Sequence, residues 1–395
     1  MGTTRDIVVL SAVRTAVGGY GGTLKDIAPC ELAATVIKEA VARAGVNPDT
    51  VGHTVLGNVI HTEPRDMYLS RVASVNAGLP VDTPAFTLNR LCGSGLQAIV
   101  SATQQIETGH CDVAIGGGAE CISRAGYTSV NQRWGARMGD SKIVDMMVGA
   151  LTDPFENVHM GITAENIAEK WGITREEQDQ LAVESHKRAS TAWEEGRFKE
   201  QIVPIEIKSR KGTILFEKDE HFRTDADMDN MAKLRPIFKK DGTVTAANAS
   251  GINDAASAVV LAAAETAQAM GLKPMARLIG YAFAGCDPKY MGIGPVPAVK
   301  RLLEDTGMSI ADFDVLEVNE AFAAQALAVI RDLDLPMDKT NPNGSGISLG
   351  HPIGATGSIV TTKAIHELQR TGGRNALVTM CIGGGQGIAA AFERI

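Results

Sequence analysis

Residues 89–98 read Asn89-Arg90-Leu91-Cys92-Gly93-Ser94-Gly95-Leu96-Gln97-Ala98. The segment follows an apolar, strand-like run and precedes a helical pattern, so Cys92 is predicted to lie at the start of a helix. Free backbone N–H groups and the helix dipole at such a position favour a thiolate, which is the nucleophilic form of cysteine. Taken alone, the segment slightly favours the alternative, a buried cysteine that packs as a small hydrophobic residue.

The composition is that of a soluble globular protein. The chain has 395 residues, of which 44% are hydrophobic and 21% are charged, enough for two or three domains. A net charge of −8 argues against a nucleic-acid partner, because positive charge holds such partners. We expect no membrane association, since no apolar run is long enough to span a bilayer. The apolar run Ile7–Leu10 is too short for a signal peptide, so a cytoplasmic location is predicted.

The cysteines predict neither a metal site nor a disulfide framework. Six are present, none forms a C-x-x-C pair, and no His/Cys cluster has the spacing of zinc ligands. Disulfides are improbable in a chain of this length without a secretion signal. Each cysteine is therefore judged by its own neighbours.

Strand-like runs alternate with helical patterns along the chain, and this alternation is typical of a layered α/β domain. In the first part of the chain, this pattern predicts strands at Ile7–Leu10, His53–Leu56 and Val113–Ile115, and helices at Pro29–Ala44, Tyr68–Ala77 and from the Cys92 turn to Thr108. The rhythm returns after residue 273, with a helix at Pro297–Thr306, a strand at Val315–Val318, a helix from Gly354 and a last strand at Ala376–Met380.

Similar sequence features recur at similar positions in two parts of the chain, and these anchors indicate two related halves, most simply the result of a duplication. Gly45 and Gly307 each end a predicted helix and are 262 residues apart. The strand followed by three glycines at Val113–Gly118 returns at Leu377–Gly385 with a slightly larger offset.

Three segments are predicted from these anchors. The first half covers 1–120 and is completed by 246–272, and the second half covers 273–395. Between them, 121–245 is predicted to be an inserted loop domain, since it is richer in charge and turn residues and carries a charged helix at Thr174–Gly196 with a capping box.

Three further segments carry polar or reactive groups. His351 lies between Gly350 and Pro352 in a loop that opens a helix, where it could take a proton or simply stabilise a turn. Cys381 follows the last predicted strand and precedes a glycine run whose N–H groups could form an oxyanion hole, or it is a buried cysteine before a turn. Asn319 ends a strand, where its amide could orient a water or cap a helix.

Together, these motifs resemble those of the thiolase family, in the acetyl-CoA acetyltransferase and β-ketothiolase branch. The resemblance runs from Ser11-Ala12-Val13-Arg14-Thr15 to the C-terminal strand. It implies a duplicated α/β thiolase fold, with two similar layered α-β-α-β-α halves and an inserted loop domain. Gly-Ser-Gly-Ile-Ser at 344–348 departs from the commoner Gly-Gly-Ala-Ile-Ala and resembles bacterial β-ketothiolases linked to polyhydroxyalkanoate synthesis, which leaves the chain-length preference open.

The resemblance implies a two-stage reaction with ping-pong kinetics. Cys92 would attack an acyl-CoA thioester while His351 accepts the thiol proton. Cys381 would then remove the α-proton of acetyl-CoA, and the enolate would attack the acyl group to give a 3-ketoacyl-CoA. His351 and a water held by Asn319 would stabilise the enolate oxygen, and the N–H groups of Cys92 and Gly383 would form a second oxyanion hole.

The resemblance also assigns the substrate groove. Acyl-CoA, acetyl-CoA and CoA are the implied partners, and no cofactor is expected besides CoA as substrate or product. The implied CoA contacts are Leu151, His159, Met160, Arg223, Ala249, Ser250, Met291, Ala321 and Phe322. Arg223 suits the nucleotide phosphates. Asn230 stands where relatives often have Ser, which puts that polar contact in doubt.

Two other functions remain open at this point. A decarboxylating ketoacyl synthase has the same superfamily fold but lacks a thiol base in its last loop, so Cys381 argues against it. A catalytically silent CoA-binding scaffold would have lost a catalytic residue, whereas all four are present. A homo-oligomer, either a dimer or a tetramer, is expected by analogy, with Gln132–Met147 as a candidate tetramerising arm.

Overall fold

The computed structural model describes residues 5–209 and 212–395. Within those residues, one 11-stranded sheet has the path β13-β14-β15-β12-β1-β11-β5-β3-β4, with β2 beside β11 and β8 beside β1. Its strands are β1 (Ile7–Thr15), β2 (Gly18–Gly19), β3 (His53–Gly57), β4 (Ala85–Leu88), β5 (Val113–Cys121), β8 (Ile202–Val203), β11 (Asn253–Ala263), β12 (Ala276–Gly285), β13 (Val315–Val318), β14 (Asn375–Ile382) and β15 (Gln386–Arg394). Two small hairpins pair β6 (Tyr127–Thr128) with β7 (Val144–Asp145) and β9 (Ile205–Ser209) with β10 (Gly212–Phe216).

The helices form layers around this sheet. They are α1 (Pro29–Ala44), α2 (Leu69–Asn76), α3 (Ser94–Glu107), α4 (Met146–Ala150), α5 (Met160–Trp171), α6 (Arg175–Glu194), α7 (Met228–Ala232), α8 (Ala264–Ala269), α9 (Pro295–Thr306), α10 (Ala323–Asp332), α11 (Gly346–Leu349) and α12 (Ile353–Thr371). α3 and α12 pack on each other in the centre, α1 covers β11 and β1, α2 covers β4 and β3, and α9 covers β12 and β15. The predicted layered α/β class is confirmed.

Helix ends follow the predicted local signals. α1 has proline in its first turn and ends at Gly45, whose φ of 68° is left-handed, the conformation that glycine adopts at least cost. Gly307 ends α9 in the same way with a φ of 69°. Thr174 and Glu177 form the predicted capping box of α6. These helices are therefore delimited by their own sequence.

The three glycines at 116–118 correct one anchor of the duplication. They lie inside β5 and do not form a turn after it, whereas Gly383–Gly385 form the turn between β14 and β15. The physical reason is close packing: a Cβ on Gly116 would lie 2.5 Å from the Ile99 Cα, and one on Gly118 would lie 2.1 Å from the Gly354 carbonyl oxygen. β14 is also not the last strand, because β15 follows it.

Backbone contact between α3 and α12 is equally close. A Cβ on Gly95 would lie 2.6 Å from the Ser358 nitrogen, and one on Gly357 would lie 2.2 Å from the Leu96 nitrogen. Only glycine permits such an approach without displacing the backbone. The close packing of α3 and α12 therefore fixes the positions of Cys92 and His351, which precede these two helices.

The two parts of the sheet join where β1 pairs with β12, through Val8 with Arg277 and Val9 with Ala276. The division into halves at 1–120 with 246–272 and at 273–395 stays a prediction. The predicted insertion at 121–245 contributes β8 to the sheet and holds α4–α7. Among the helices described, none is both long and apolar enough to cross a membrane.

A buried ion pair fixes part of the predicted insertion to the sheet. The Arg14 guanidinium donates to both oxygens of Asp219, at 2.7 and 3.0 Å, and both side chains are fully buried. Such a bidentate pair is directional as well as strong. It holds the segment beyond β10 against β1.

Candidate active site

Cys92 lies in a strained turn just before α3. Leu91 has a φ of 43°, and the Ser94 hydroxyl donates to the Leu91 carbonyl at 2.7 Å while accepting from the Arg90 N–H at 2.8 Å. A non-glycine residue in this region of φ is uncommon and costs free energy, so the turn is held by its surroundings. This turn places the Cys92 thiol in an apolar pocket with Ile60, Ile122 and Ile353.

Burial dominates the ionisation of Cys92. It raises the pKa of the thiol to about 11, while the backbone N–H groups of Gly383 and of Cys92 itself act in the opposite direction. The position at a helix start predicts a lowered thiol pKa, and this prediction is wrong because loss of hydration outweighs the nearby N–H groups. The thiol is therefore protonated at rest and needs a base.

His351 is positioned by its backbone and by one side-chain partner. Its N–H donates to the Asn253 side-chain oxygen at 3.0 Å, and its Nδ1 lies 2.6 Å from the Thr356 hydroxyl oxygen. Among the described residues, the buried Nε2 atom has no hydrogen-bond partner. Burial lowers the imidazole pKa to about 4, so the ring is neutral. A neutral imidazole with one free nitrogen can accept or share a proton there.

Cys381 is the second thiol of the site. It is fully buried near the end of β14, and burial raises its pKa, as do the neighbouring thiols of Cys92 and Cys286. The turn after it, with Gly384 at φ 82° and Gly385 at φ 84°, brings the Gly383 N–H to the Cys92 thiol. The structure thus brings Cys92, Cys381 and Gly383 together from separate parts of the chain.

Asn319 is buried directly after β13, and neither atom of its side-chain amide has a hydrogen-bond partner among the described residues. It is not a helix cap, because α10 begins four residues later and has Phe322 at its N-cap position. A cavity of about 10 Å³ beside Asn319 is also lined by Gly350 and Thr356. That volume holds one water molecule, which would satisfy an otherwise costly amide.

All nine of the implied CoA contacts line one of two cavities or pack against Cys381. A cavity of about 310 Å³ is bordered by His351 together with Leu151, His159, Ala249, Ser250 and Phe322. Met160, Ala249, Met291, Ala321 and Phe322 form an apolar cluster with Cys381. Arg223 and Asn230 line a second cavity of about 390 Å³, which shares Ala246 and Ala249 with the first. The two cavities are therefore adjacent, and we call them together the groove, with the His351 cavity as its inner part and the Arg223 cavity as its outer part.

Four features of the site have no signal in the sequence. Thr356 and Asn253 hold His351, and the isoleucines around Cys92 come from three separate segments. Glu120 accepts hydrogen bonds from the N–H groups of Val59 at 3.0 Å and Gly354 at 2.9 Å, and so ties the Cys92 pocket to the start of α12. All four depend on long-range packing, which local patterns do not encode.

One other cluster of polar side chains lies at the start of α1, with two of its three members buried. Ligand atoms of Cys30, Glu63 and Asp66 lie within 4.8 Å of one another. Both oxygens of Glu63 already contact arginines, Arg65 and Arg124, so its charge is balanced by the protein itself. We assign no metal to this cluster.

Comparison with known proteins gives the family. Residues 7–265 match the family described as "Thiolase, N-terminal domain" and residues 272–394 match "Thiolase, C-terminal domain". The chain is 64% identical to the beta-ketothiolase BktB of Cupriavidus necator, over 99% of this chain and 100% of that protein. It is 49% identical to the acetyl-CoA acetyltransferase of Chromobacterium violaceum, over 98% of this chain and 100% of that protein.

Solved structures give the same result. The acetyl-CoA acetyltransferase of Bacillus anthracis superposes with a TM-score of 0.98 at 46% identity, over all of both chains. Human mitochondrial 3-ketoacyl-CoA thiolase in complex with CoA superposes with a TM-score of 0.96 at 44% identity, over 99% of this chain and 98% of that one. The protein is an acyltransferase. The chain belongs to the thiolase family, which confirms the resemblance found in its motifs.

Proposed function

We propose that the protein is a β-ketothiolase that joins an acyl-CoA to acetyl-CoA through an acyl group carried on Cys92, and cleaves the 3-ketoacyl-CoA product in reverse. The observation that carries this proposal is the convergence of two buried thiols on one centre, with a Gly383 N–H at the Cys92 sulfur. One thiol supplies the nucleophile and the other a base, which are the two groups that the condensation needs.

The protons balance over the first stage. Cys92 gives its proton to Nε2 of His351 and attacks the thioester carbonyl. The tetrahedral intermediate collapses, the carbon–sulfur bond to CoA breaks, and the leaving CoA thiolate takes a proton from Cys381. This stage leaves an acylated Cys92, a thiolate at Cys381 and an imidazolium at His351.

The second stage returns these protons. The Cys381 thiolate removes the α-proton of acetyl-CoA, and the enolate oxygen accepts hydrogen bonds from Nε2–H of His351 and from a water bound to Asn319. The enolate carbon attacks the acyl group on Cys92. The Cys92 sulfur then leaves and recovers its proton from His351, which restores the starting state. Donors aimed at the developing oxyanion supply much of the rate enhancement in such steps.

The groove supports CoA as the substrate carrier. Its inner cavity is mainly apolar, as suits a pantetheine arm and an acyl chain, and contains His159, whose Nδ1 accepts from the Gly161 N–H at 3.0 Å. That contact leaves the His159 Nε2–H available as a donor. The outer cavity carries Arg223, a suitable partner for nucleotide phosphates. CoA serves as substrate and product, and no other cofactor is part of the proposal.

Steady-state thiolysis of 3-ketoacyl-CoAs of increasing chain length tests the proposal and measures the acyl preference. We expect cleavage to an acyl-CoA and acetyl-CoA with ping-pong kinetics, and condensation with acetyl-CoA alone. A requirement for a malonyl thioester would identify a decarboxylating synthase instead. CoA binding without any turnover would identify a silent scaffold.

Self-association and a cytoplasmic location are also part of the proposal. The segment Gln132–Met147, proposed as an arm for a second copy, exposes 86% of Trp134 and 98% of Met138. Apolar side chains so exposed are typical of a surface that binds another protein. Light scattering should give a dimer or tetramer, and deletion of the arm should reduce a tetramer to dimers. The six cysteines, all within the described residues, are free, as expected in a reducing compartment.

A further inference from the structure

The only side-chain partner of the His351 ring among the described residues is a neutral hydroxyl group. Thr356 Oγ1 lies 2.6 Å from His351 Nδ1 and also 3.0 Å from the carbonyl oxygen of Pro352, the N-cap residue of α12. Thr356 is 2% exposed, so water does not compete for these contacts. A hydroxyl has one hydrogen, so only one of the two contacts can use it.

The two ways of placing that hydrogen have different chemical consequences. If the hydroxyl donates to Pro352, Oγ1 accepts from Nδ1–H, and Nε2 keeps a lone pair. If it donates to Nδ1, the neutral ring must carry its hydrogen on Nε2. In that second form, Nε2–H would be a buried donor without a partner and could not take a proton from a thiol. Helical threonines commonly donate to the carbonyl four residues earlier, which favours the first arrangement.

We infer that Thr356 is a positioning residue that accepts the Nδ1–H of His351 and donates to the Pro352 carbonyl, and so keeps Nε2 unprotonated until Cys92 delivers its proton. This inference rests on the proposed function, because the direction of proton transfer is part of it. Nδ1 stays protonated in both stages. The proton that arrives at Nε2 is then the only mobile one on the ring.

A neutral partner also affects the charged state of the ring. In a Ser-His-Asp triad a carboxylate stabilises the imidazolium. Burial alone lowers the pKa of His351, with no contribution from a charged group among the described residues. The imidazolium formed during acylation is therefore held weakly and returns its proton readily, as a reversible acyl transfer requires.

The test compares three variants on α12. Thr356→Val removes the hydroxyl and keeps the shape, and Thr356→Ser restores it. Thr361→Val is the matched control, because Thr361 is fully buried and donates to the Gly357 carbonyl at 2.8 Å without contacting His351. Acylation of Cys92 by acetyl-CoA is followed by rapid quench and peptide mass spectrometry.

We expect Thr356→Val to slow acylation about 10- to 100-fold, a part of what loss of a general base costs. The apparent affinity for acetyl-CoA should not change. Thr356→Ser and Thr361→Val should acylate at nearly the wild-type rate. Wild-type acylation in Thr356→Val, or an equal loss in Thr361→Val, would overturn the inference.

Nitrogen-15 NMR of histidine-labelled wild-type protein reads the tautomer directly. We expect a protonated Nδ1 and an unprotonated Nε2 at His351, assigned by loss of the signals in His351→Gln. The opposite tautomer in an enzyme that still acylates Cys92 would refute the role of Thr356 and leave the proposed function intact. Failure of wild-type protein to acylate Cys92 would instead refute the proposed function.

Discussion

The backbone N–H of Gly383 contacts the thiol of Cys92, although 291 positions of the sequence, from 92 to 383, separate the two residues. The contact opposes the effect of burial on the thiol pKa. It also places an N–H donor where the carbonyl oxygen of an acyl group on Cys92 would develop negative charge. The nucleophile and its oxyanion donor are therefore fixed relative to each other by the fold of both parts of the chain.

Cys92 is expected to carry the acyl group. Incubation with acetyl-CoA, followed by quenching and peptide mass spectrometry, should place an acetyl group on the peptide that contains Cys92. Cys92→Ala should lose the label and the turnover. Cys111→Ser serves as the control, because this cysteine packs outside the site and should not affect labelling. Label confined to Cys381 would contradict the assignment.

Cys381 is expected to be the base for the carbon–carbon step. Cys381→Ser should suppress exchange of the α-protons of acetyl-CoA with deuterated solvent, because a serine hydroxyl is a far weaker acid than a thiol and its alkoxide is not accessible near neutral pH. Acetylation of Cys92 should persist in this variant, although product CoA must then find another proton. Exchange at the wild-type rate would rule out this role.

Asn319 is expected to contribute to catalysis and not to stability. Asn319→Ala should lower the condensation rate by about one to three orders of magnitude, as loss of one oxyanion donor does. Thermal unfolding should occur at nearly the same temperature, because neither amide atom bonds to a protein group among the described residues and a water in the adjacent cavity can satisfy the amide. A large loss of stability would show that the amide has a structural partner instead.

Gly383 is expected to tolerate no side chain. A Cβ there would lie 2.2 Å from the Met160 Cε, so Gly383→Ala must displace Met160 and the turn that presents the N–H. We expect acylation to fall at least tenfold, and the double change Gly383→Ala with Met160→Ala to recover part of it. Gly126→Ala is the control, since a Cβ at Gly126 meets no atom within 4 Å. No recovery in the double variant would mean that backbone conformation, not Met160, excludes a side chain.

The contribution of His186 to stability is expected to fall with acidification between about pH 6.5 and pH 4. Burial, and then the charges of His221 and Arg223, lower the pKa of His186 to about 4, and its Nδ1 accepts the Arg223 N–H at 3.1 Å. Between pH 6.5 and pH 4, His186 binds a proton in the unfolded chain but stays neutral in the folded protein. Its contribution to stability is therefore complete above pH 6.5 and is lost as the pH falls through this range. The shift corresponds to roughly 3 kcal/mol.

Denaturant titrations at several pH values measure this effect. His186→Gln should flatten the slope of unfolding free energy against pH by up to one proton. The residual slope is the sum of other buried groups. Histidines whose pKa burial lowers, such as His351, add to it, whereas carboxyls whose pKa burial raises, Glu120 to about 8 and Glu317 to about 7, oppose it. An identical slope in His186→Gln would contradict the prediction.

Local patterns predicted much of the fold, and tertiary packing explains what they missed. α1 was predicted with its observed bounds, because proline, a regular apolar face and Gly45 delimit it within 17 residues. β15 was missed, because Gly387 and Ala389–Ala391 lack the β-branched and aromatic residues typical of strands. The glycines of β5 resemble a turn in sequence because the reason for them, close packing against Ile99 of α3 and Gly354 of α12, appears only in the folded structure.

The same reasoning applies to the candidate site. Cys92, His351, Cys381 and Asn319 could be singled out, since each follows a strand or opens a helix. The raised pKa of Cys92 could not be predicted, because burial depends on residues from several segments. The role of Thr356 could not be predicted for a related reason. It depends on the contact between the Thr356 hydroxyl and the His351 ring, 2.6 Å apart, which only the folded structure shows.

The glycine contacts between α3 and α12 bear on how this enzyme could have evolved. Cys92 precedes α3 and His351 precedes α12. Backbone packing at Gly95 and Gly357 leaves no room for the two helices to move closer together. If the chain arose by duplication of an ancestral gene, the two copies have diverged in role, because one now carries the proposed nucleophile and the other the proposed base. A substitution at the packed face of one copy then also affects the other copy. Selection is therefore expected to act on the two copies together.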